Sequence, residues 1–250
     1  MAQWRIDRIS IDYRLSFRAP FHVGTGLRRG LVHRAVARDP HGFLFVPGSS
    51  VKGVTRERCE EIARLFDLAA REPHAEAADL SDFGPGLGVV EDVFGARTRP
   101  GTLFFEDAHL ISEDREMFEC REAAAAVQGR YREYQVAPRT RVQISRLTGA
   151  ARSGHLFSSE YGLNGMSFDG TVRGVLPGIP LESAPDLSYP LVLLVAGLLA
   201  VEALGGERST GAGRCQLGIR QISMNGVACT KEKIVESLGD LEYYDLARET

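Results

Sequence analysis

Val46-Pro47-Gly48-Ser49-Ser50-Val51-Lys52-Gly53 joins an apolar run to an amphipathic one. Before it stand Phe43, Leu44 and Phe45, a strand-like run that ends at the Pro-Gly pair. After it, Val51, Val54, Ile62, Leu65, Phe66 and Ala69 recur at helical spacing, which predicts a helix from about Val51. Ser49 or Ser50 is the expected N-cap, because a serine hydroxyl can satisfy a backbone N–H that the first turn leaves unpaired. That end also carries the positive pole of the helix dipole, so it is a ready anion site. Lys52 and Arg56 stand four residues apart and share one face there. Physically this is a phosphate-binding helix start, although a strand–turn–helix junction with two solvated cations fits the same residues.

The bulk numbers narrow the field. A chain of 250 residues, 44% hydrophobic and 25% charged, can bury one sizeable core. No apolar stretch reaches the roughly 18 residues that span a bilayer; the longest, Tyr189 to Leu204, is interrupted by Gly197 and Glu202. The first residues lack the apolar core of a signal peptide, so a cytoplasmic protein with no membrane partner is expected. Cys59, Cys120, Cys215 and Cys229 form no CxxC pair, and the six histidines show no ligand spacing, so no metal site is predicted. The net charge is only −3, but the cations cluster. Arg18 to Arg58 holds eight basic residues against Asp39 and Glu57, a local +6. Gln128 to Gly154 holds six arginines against Glu133, a local +5. Two basic faces on an acidic body suit a phosphate-rich polymer.

Along the chain, Ile9, Ile11, Tyr13, Leu15 and Phe17 alternate with polar residues as in a half-buried strand. Residues 72–92, rich in Ala, Gly and Asp, read as an insertion. Thr102 to Leu110 reads as a buried strand, 113–127 as a short helix, and the Arg-rich segment after Gly129 as a projecting hairpin. Phe168 to Gly178 is a strand, Leu187 to Leu204 an apolar helix, Cys215 to Ile222 a strand and 231–238 a small terminal helix. Strand, helix, strand, arm, strand, helix, strand is the ferredoxin-like order. The fold class is therefore α+β: a ferredoxin-like (RRM-like) core, with an inserted arm and a small helical lobe, in a single domain over 1–250.

Four stretches resemble, in order, the RAMP superfamily of CRISPR proteins, specifically the repeated backbone subunit of type III effector complexes. They are Val46 to Gly53 with Arg56; Val93-Phe94-Gly95 with Gly101 to Ala108; Arg141 to Ala151 running on to Leu156, Phe157 and Glu160; and the glycine-rich loop Gly205 to Arg214. The resemblance implies a subunit that polymerises along a CRISPR guide RNA (crRNA) with other copies of itself and other effector subunits, and displays the guide to target RNA. It places Ser49, Ser50, Lys52 and Arg56 on guide phosphates. It brings the loop of Gly205, Gly206, Arg208, Ser209, Gly211 and Gly213 against the RNA. It makes the arm, about 128–160 with its working part between Val136 and Leu156, a thumb carrying Arg141 and Arg146. RNA binding of this kind requires no cofactor; a divalent metal enters only if the subunit cleaves.

One position departs from the pattern. RNA-cleaving members carry an acidic residue on the loop before the helix, and His33 occupies its place six residues before Asp39-Pro40. An imidazole does not recruit a hard divalent ion as a carboxylate does, although it can serve as a general base. Target cleavage is therefore expected to be lost or weak. The alternative is a RAMP endoribonuclease that cuts target RNA or guide precursor through His33 or another histidine. A ferredoxin-like small-molecule enzyme finds no paired acid/base or cofactor motif here.

Overall fold

The computed structural model describes residues 5–24, 26, 32–66, 68, 88–96, 99–124 and 134–244. Its central strand is β1 (Arg5–Phe17), in which Ile9, Ile11, Tyr13, Leu15 and Phe17 are buried and the residues between them are not. That period of two gives the sheet one covered face and one open face. After β2 (Phe45–Val46) and helix α1 (Gly48–Leu65) come α2 (Val89–Phe94) and the short pair β3 (Gly95–Ala96) and β4 (Arg99–Pro100). Next are β5 (Leu103–Phe105), β6 (Ala108–Leu110), α3 (Ser112–Ala124) and the hairpin β7 (Val136–Ile144) with β8 (Ala151–Gly162). The chain closes with β9 (Ser167–Gly178), α4 (Tyr189–Leu199), β10 (Cys215–Met224) and β11 (Val227–Cys229), before a terminal helix, Lys231–Glu236.

β1 pairs antiparallel with β10 on one side and β9 on the other, and β9 pairs with β5 and β6. The core order β10-β1-β9-β5/β6, with α1 and α4 as the two crossovers, is the ferredoxin-like arrangement read from the sequence. Helix α1 packs Val51, Thr55, Cys59 and Ala63 inward, and α4 is buried on most sides. The two helices meet closely at Gly197, where an added Cβ would lie 2.2 Å from the Cys59 sulfur. Beneath the hairpin base Phe17 stacks on Phe21 at 3.8 Å, and Phe168 meets both edge-on at 5.9 and 5.7 Å.

Several boundaries differ from the sequence reading, each for a local reason. Helix α1 starts at Gly48 rather than Val51, because Pro47, at φ −57°, already sits at its N-cap. The apolar run to Leu204 is helical only to Leu199. Beyond it Val201 and Leu204 stay buried in extended chain, with Ala203 bridging Arg214, so hydrophobicity outlasts the helix. Of the predicted insertion over 72–92, residues 72–87 lie outside the described residues, whereas Val89 to Asp92 belong to the wholly buried helix α2. Of the arm, 128–133 lie outside the described residues and the rest is the β7–β8 hairpin. The terminal helix continues as a 3-10 turn, Ser237–Tyr243. No helix among the described residues is long and apolar enough to cross a membrane.

Candidate nucleic-acid interface

The start of α1 is not capped by its own serines. The Gly48 N–H donates to Asp107 Oδ1 at 2.8 Å, so the cap comes from the loop between β5 and β6. Gly48 lies so close to β5 that an added Cβ would sit 1.9 Å from the Phe105 carbonyl oxygen. Ser49 and Ser50 fall inside the first turn, which frees their hydroxyls from capping. This corrects the expected N-cap and leaves both serines at the surface of the helix end.

Those serines line one wall of a groove of about 550 Å³ together with Gly53, Val54 and Glu57. The opposite wall is the glycine-rich loop, through Gly205, Gly206 and Arg208; the floor and one end are His22, Gly24 and Arg34. Two stretches about 155 residues apart in the chain therefore face each other. Lys52 and Arg56 do not line this groove. They occupy the flank of α1 beside it, where Arg56 is held by Glu60 at 2.8 Å and reaches the Gly95 carbonyl. Lys52 makes no ion pair among the described residues; partial burial, then the charge of Arg56, lowers its pKa from the usual lysine value. Ser209 and Gly211 are exposed further along the loop, and Gly213 is buried where the loop rejoins the sheet. Arg146 is exposed in the far turn of the hairpin, close in sequence to Leu147, which is 95% exposed.

Arg141 is brought to the loop by Glu207, a residue that the sequence reading passed over. Its carboxylate takes Arg141 at 2.6 Å, Arg34 at 3.2 Å and the hydroxyl of buried Tyr161. Burial alone would raise the Glu207 pKa; the Tyr161 hydroxyl, Arg141 and Arg34 outweigh it and hold the carboxyl below the ordinary glutamate range. Arg139 lies over the Tyr161 ring at 4.8 Å, so the hairpin base is a stack of guanidinium, ring and carboxylate. Across the groove Arg208 pairs with Glu57 at 2.8 Å. No pattern in the sequence marks Glu207, because its partners come from three separate elements.

The two histidines near the groove are held in opposite senses. The Ser158 N–H donates to His33 Nδ1 at 3.2 Å, while the His33 N–H donates to the Ser158 carbonyl at 3.0 Å. With Nδ1 accepting, a neutral His33 ring carries its proton on Nε2, and its Nδ1 lone pair is engaged by the hairpin backbone. The placement of His33 is that of a tie between its loop and the hairpin. His22 is 5% exposed and its Nδ1 faces the Glu160 carbonyl at 2.8 Å, which makes Nδ1 the donor and leaves Nε2 an acceptor on the groove side, beside Gly24. Among the described residues no cluster of three or more His, Cys, Asp or Glu could hold a metal ion.

With this geometry in hand, comparison with known proteins gives a consistent result. The family model described as the RAMP superfamily matches residues 14–216. Among solved structures, one chain of a cryo-EM structure of the Type III-B Cmr-beta complex bound to cognate target RNA aligns at a TM-score of 0.56 and 13% identity, over 90% of this chain and 98% of that one. A chain of the same complex in its apo state aligns at 0.53 and 14% identity, over 84% and 96%. At such identities the likeness is one of fold. No curated protein matches the sequence.

Proposed function

This chain belongs to the RAMP superfamily, and from that premise we propose that it is a guide-RNA-binding subunit of a type III CRISPR effector complex, holding crRNA and presenting it to target RNA beside other copies of itself and other effector subunits. The observation that carries the reading is the groove. Its walls are a helix N-terminus with two serine hydroxyls not used in capping and a glycine-rich loop carrying Arg208, and Arg34 stands at its floor. Such walls offer N–H, hydroxyl and guanidinium donors, which fit a phosphodiester backbone and read no base sequence. The hairpin beside it presents Val142, Ile144, Leu147 and Leu156 to solvent among arginines, a surface that suits stacking against bases rather than burial in its own core.

Nucleic acid extracted from the protein purified with its effector partners is expected to be a discrete RNA population with one constant end and variable remainder. A nucleic-acid-free monomer would overturn the reading. A variant localises the contact. Gly53 is exposed inside α1 and an added Cβ there meets nothing within 4 Å. Gly53→Gln should therefore stabilise the helix by about 0.5–1 kcal/mol, while its side chain enters the groove. RNA affinity, measured by titration at fixed salt, is expected to fall about tenfold, equivalent to ~1.4 kcal/mol. Stability and binding moving in opposite directions would locate the RNA; an unchanged affinity would place it elsewhere.

A second reading, a RAMP endoribonuclease, rests on His22, whose Nε2 is, in the neutral ring, the one acceptor imidazole nitrogen lining the groove among the described residues. The absence of a carboxylate at position 33 argues against metal-supported cutting. A guide-paired target incubated with the assembled complex is expected to stay intact, and cuts at regular spacing would restore the enzyme reading.

A further inference from the structure

Arg34, Arg141 and Tyr161 converge on one carboxylate, and their donors are those that bind a phosphate. The two guanidiniums approach from the loop after the groove floor and from the hairpin, and the hydroxyl comes from a wholly buried ring. We infer that this trio is a phosphate site of the RNA path, occupied in the free chain by Glu207 acting as an internal stand-in for a phosphodiester. The inference rests on the RNA-binding reading above and adds to it a site and the group that closes it.

Three observations separate a removable stand-in from a permanent staple. Glu207 sits at φ 64°, in the left-handed region that non-glycine residues occupy only at a cost, so its backbone holds the carboxylate in place against a local preference. It is flanked by Gly205, Gly206 and Gly211, whose backbones reach more of φ/ψ space than those of other residues, so a local rearrangement that withdraws the carboxylate meets few steric barriers. Neither arginine is sealed in: Arg34 and Arg141 side chains are 47% and 37% exposed, so a strand in the groove can reach them once Glu207 leaves. Gly206 brings the loop backbone against Arg34, where an added Cβ would stand 3.1 Å from its guanidinium. The loop and the cation would thus move apart together.

The consequence is an exchange. In the wild-type chain, a phosphate that takes Arg34 and Arg141 expels Glu207, which then needs counterions of its own. The salt released from the RNA is recaptured, and these two contacts add little to the salt dependence of binding. Glu207→Gln removes the charge but keeps an acceptor for Tyr161. The phosphate held by the two arginines then contributes its full counterion release, and the slope of log affinity against log salt should steepen by about 0.7, the value for one phosphate on a single strand.

The experiment titrates a fluorescent single-stranded RNA of arbitrary sequence into wild type, Glu207→Gln and Glu232→Gln over a salt series. Glu232→Gln removes the same unit of charge from the terminal helix, away from the groove. The expected result is tighter binding at low salt and the steeper slope for Glu207→Gln alone. Glu207→Asp, which keeps the charge but shortens its reach to the two arginines and Tyr161, should shift binding the same way by less. Weaker or unchanged binding by a folded Glu207→Gln protein would make Glu207 a permanent staple and overturn the inference. If Glu207→Gln does not fold, Glu207→Asp decides by the same sign. Failure of the RNA-binding reading itself would look different: wild type and Glu232→Gln would both fail to bind.

Discussion

Phe168→Ala is expected to destabilise the protein by about 3–5 kcal/mol, the usual range for truncating a buried phenylalanine. Phe168 is fully buried on β9, opposite Leu15 on β1 and Leu110 on β6. It closes an aromatic triad with Phe17 and Phe21, whose edge-to-face geometry contributes beyond area alone. The cavity cannot collapse easily, because Phe21 is pinned from the other side: its backbone pairs with Gly162, where no Cβ would fit. Domains of this size lose about 2–4 °C of Tm per kcal/mol, so a fall of roughly 6–20 °C is expected. Phe168→Leu, which refills most of the volume, should recover much of it. Denaturant unfolding with unchanged m-value is the measurement; a loss under about 1 kcal/mol would mean that the triad is loosely packed. Because Phe21 also seats the hairpin, faster amide exchange along β8 should accompany the loss.

That triad shows what the sequence could and could not disclose. β1 was legible because alternation is a local property, and its odd residues from Ile9 to Phe17 are buried as the pattern predicts. The ferredoxin-like order followed from element order alone. Helix α1 was placed within three residues, but its cap was not, since Asp107 lies 59 residues further on and reaches Gly48 only through the sheet. The apolar run after Tyr189 read as one helix because burial and helicity share a signature there; Val201 and Leu204 are buried by an extended chain.

The candidate site divided along the same line. Ser49, Ser50, Gly205, Gly206 and Arg208 share a groove, and composition marked each wall separately. Arg56 looked like a free cation on a helix face, and its commitment to Glu60 is an ordinary i,i+4 pair that spacing alone leaves open. Basic clusters stood out in a charge count, whereas Glu57 counted merely against one of them and Glu207 lay outside both, although these two carboxylates pair with Arg208, Arg34 and Arg141. An electrostatic hub built from positions 34, 141, 161 and 207 has no linear signature. The same blindness applied to His22 and His33, whose ring nitrogens acquire opposite roles from backbone groups on β8.

The glycine-rich loop gives the second large effect. Gly213 adopts φ +74°, and an added Cβ would lie 2.1 Å from the Leu204 carbonyl oxygen. Its N–H donates to Pro20 and its carbonyl accepts from Leu204, both at 2.9 Å, so the residue cannot step aside without breaking one of them. Gly213→Ala therefore meets a left-handed backbone penalty of about 1–2 kcal/mol and a clash with fixed main chain of about 1–3 kcal/mol. Leu204 adjoins Gly205, whose own Cβ would stand 2.5 Å from the His22 carbonyl, so displacement passes directly into the groove wall. Gly211→Ala is the informative control: its φ is +88°, yet nothing lies within 4 Å of the added carbon. It should incur the backbone penalty alone and leave the wall in place. Gly213→Ala is thus expected to lose both stability and RNA affinity, and Gly211→Ala to lose some stability with near-normal binding. Should both variants bind RNA as the wild type does, the loop is a structural turn, and the RNA would have to follow α1 and the hairpin without it.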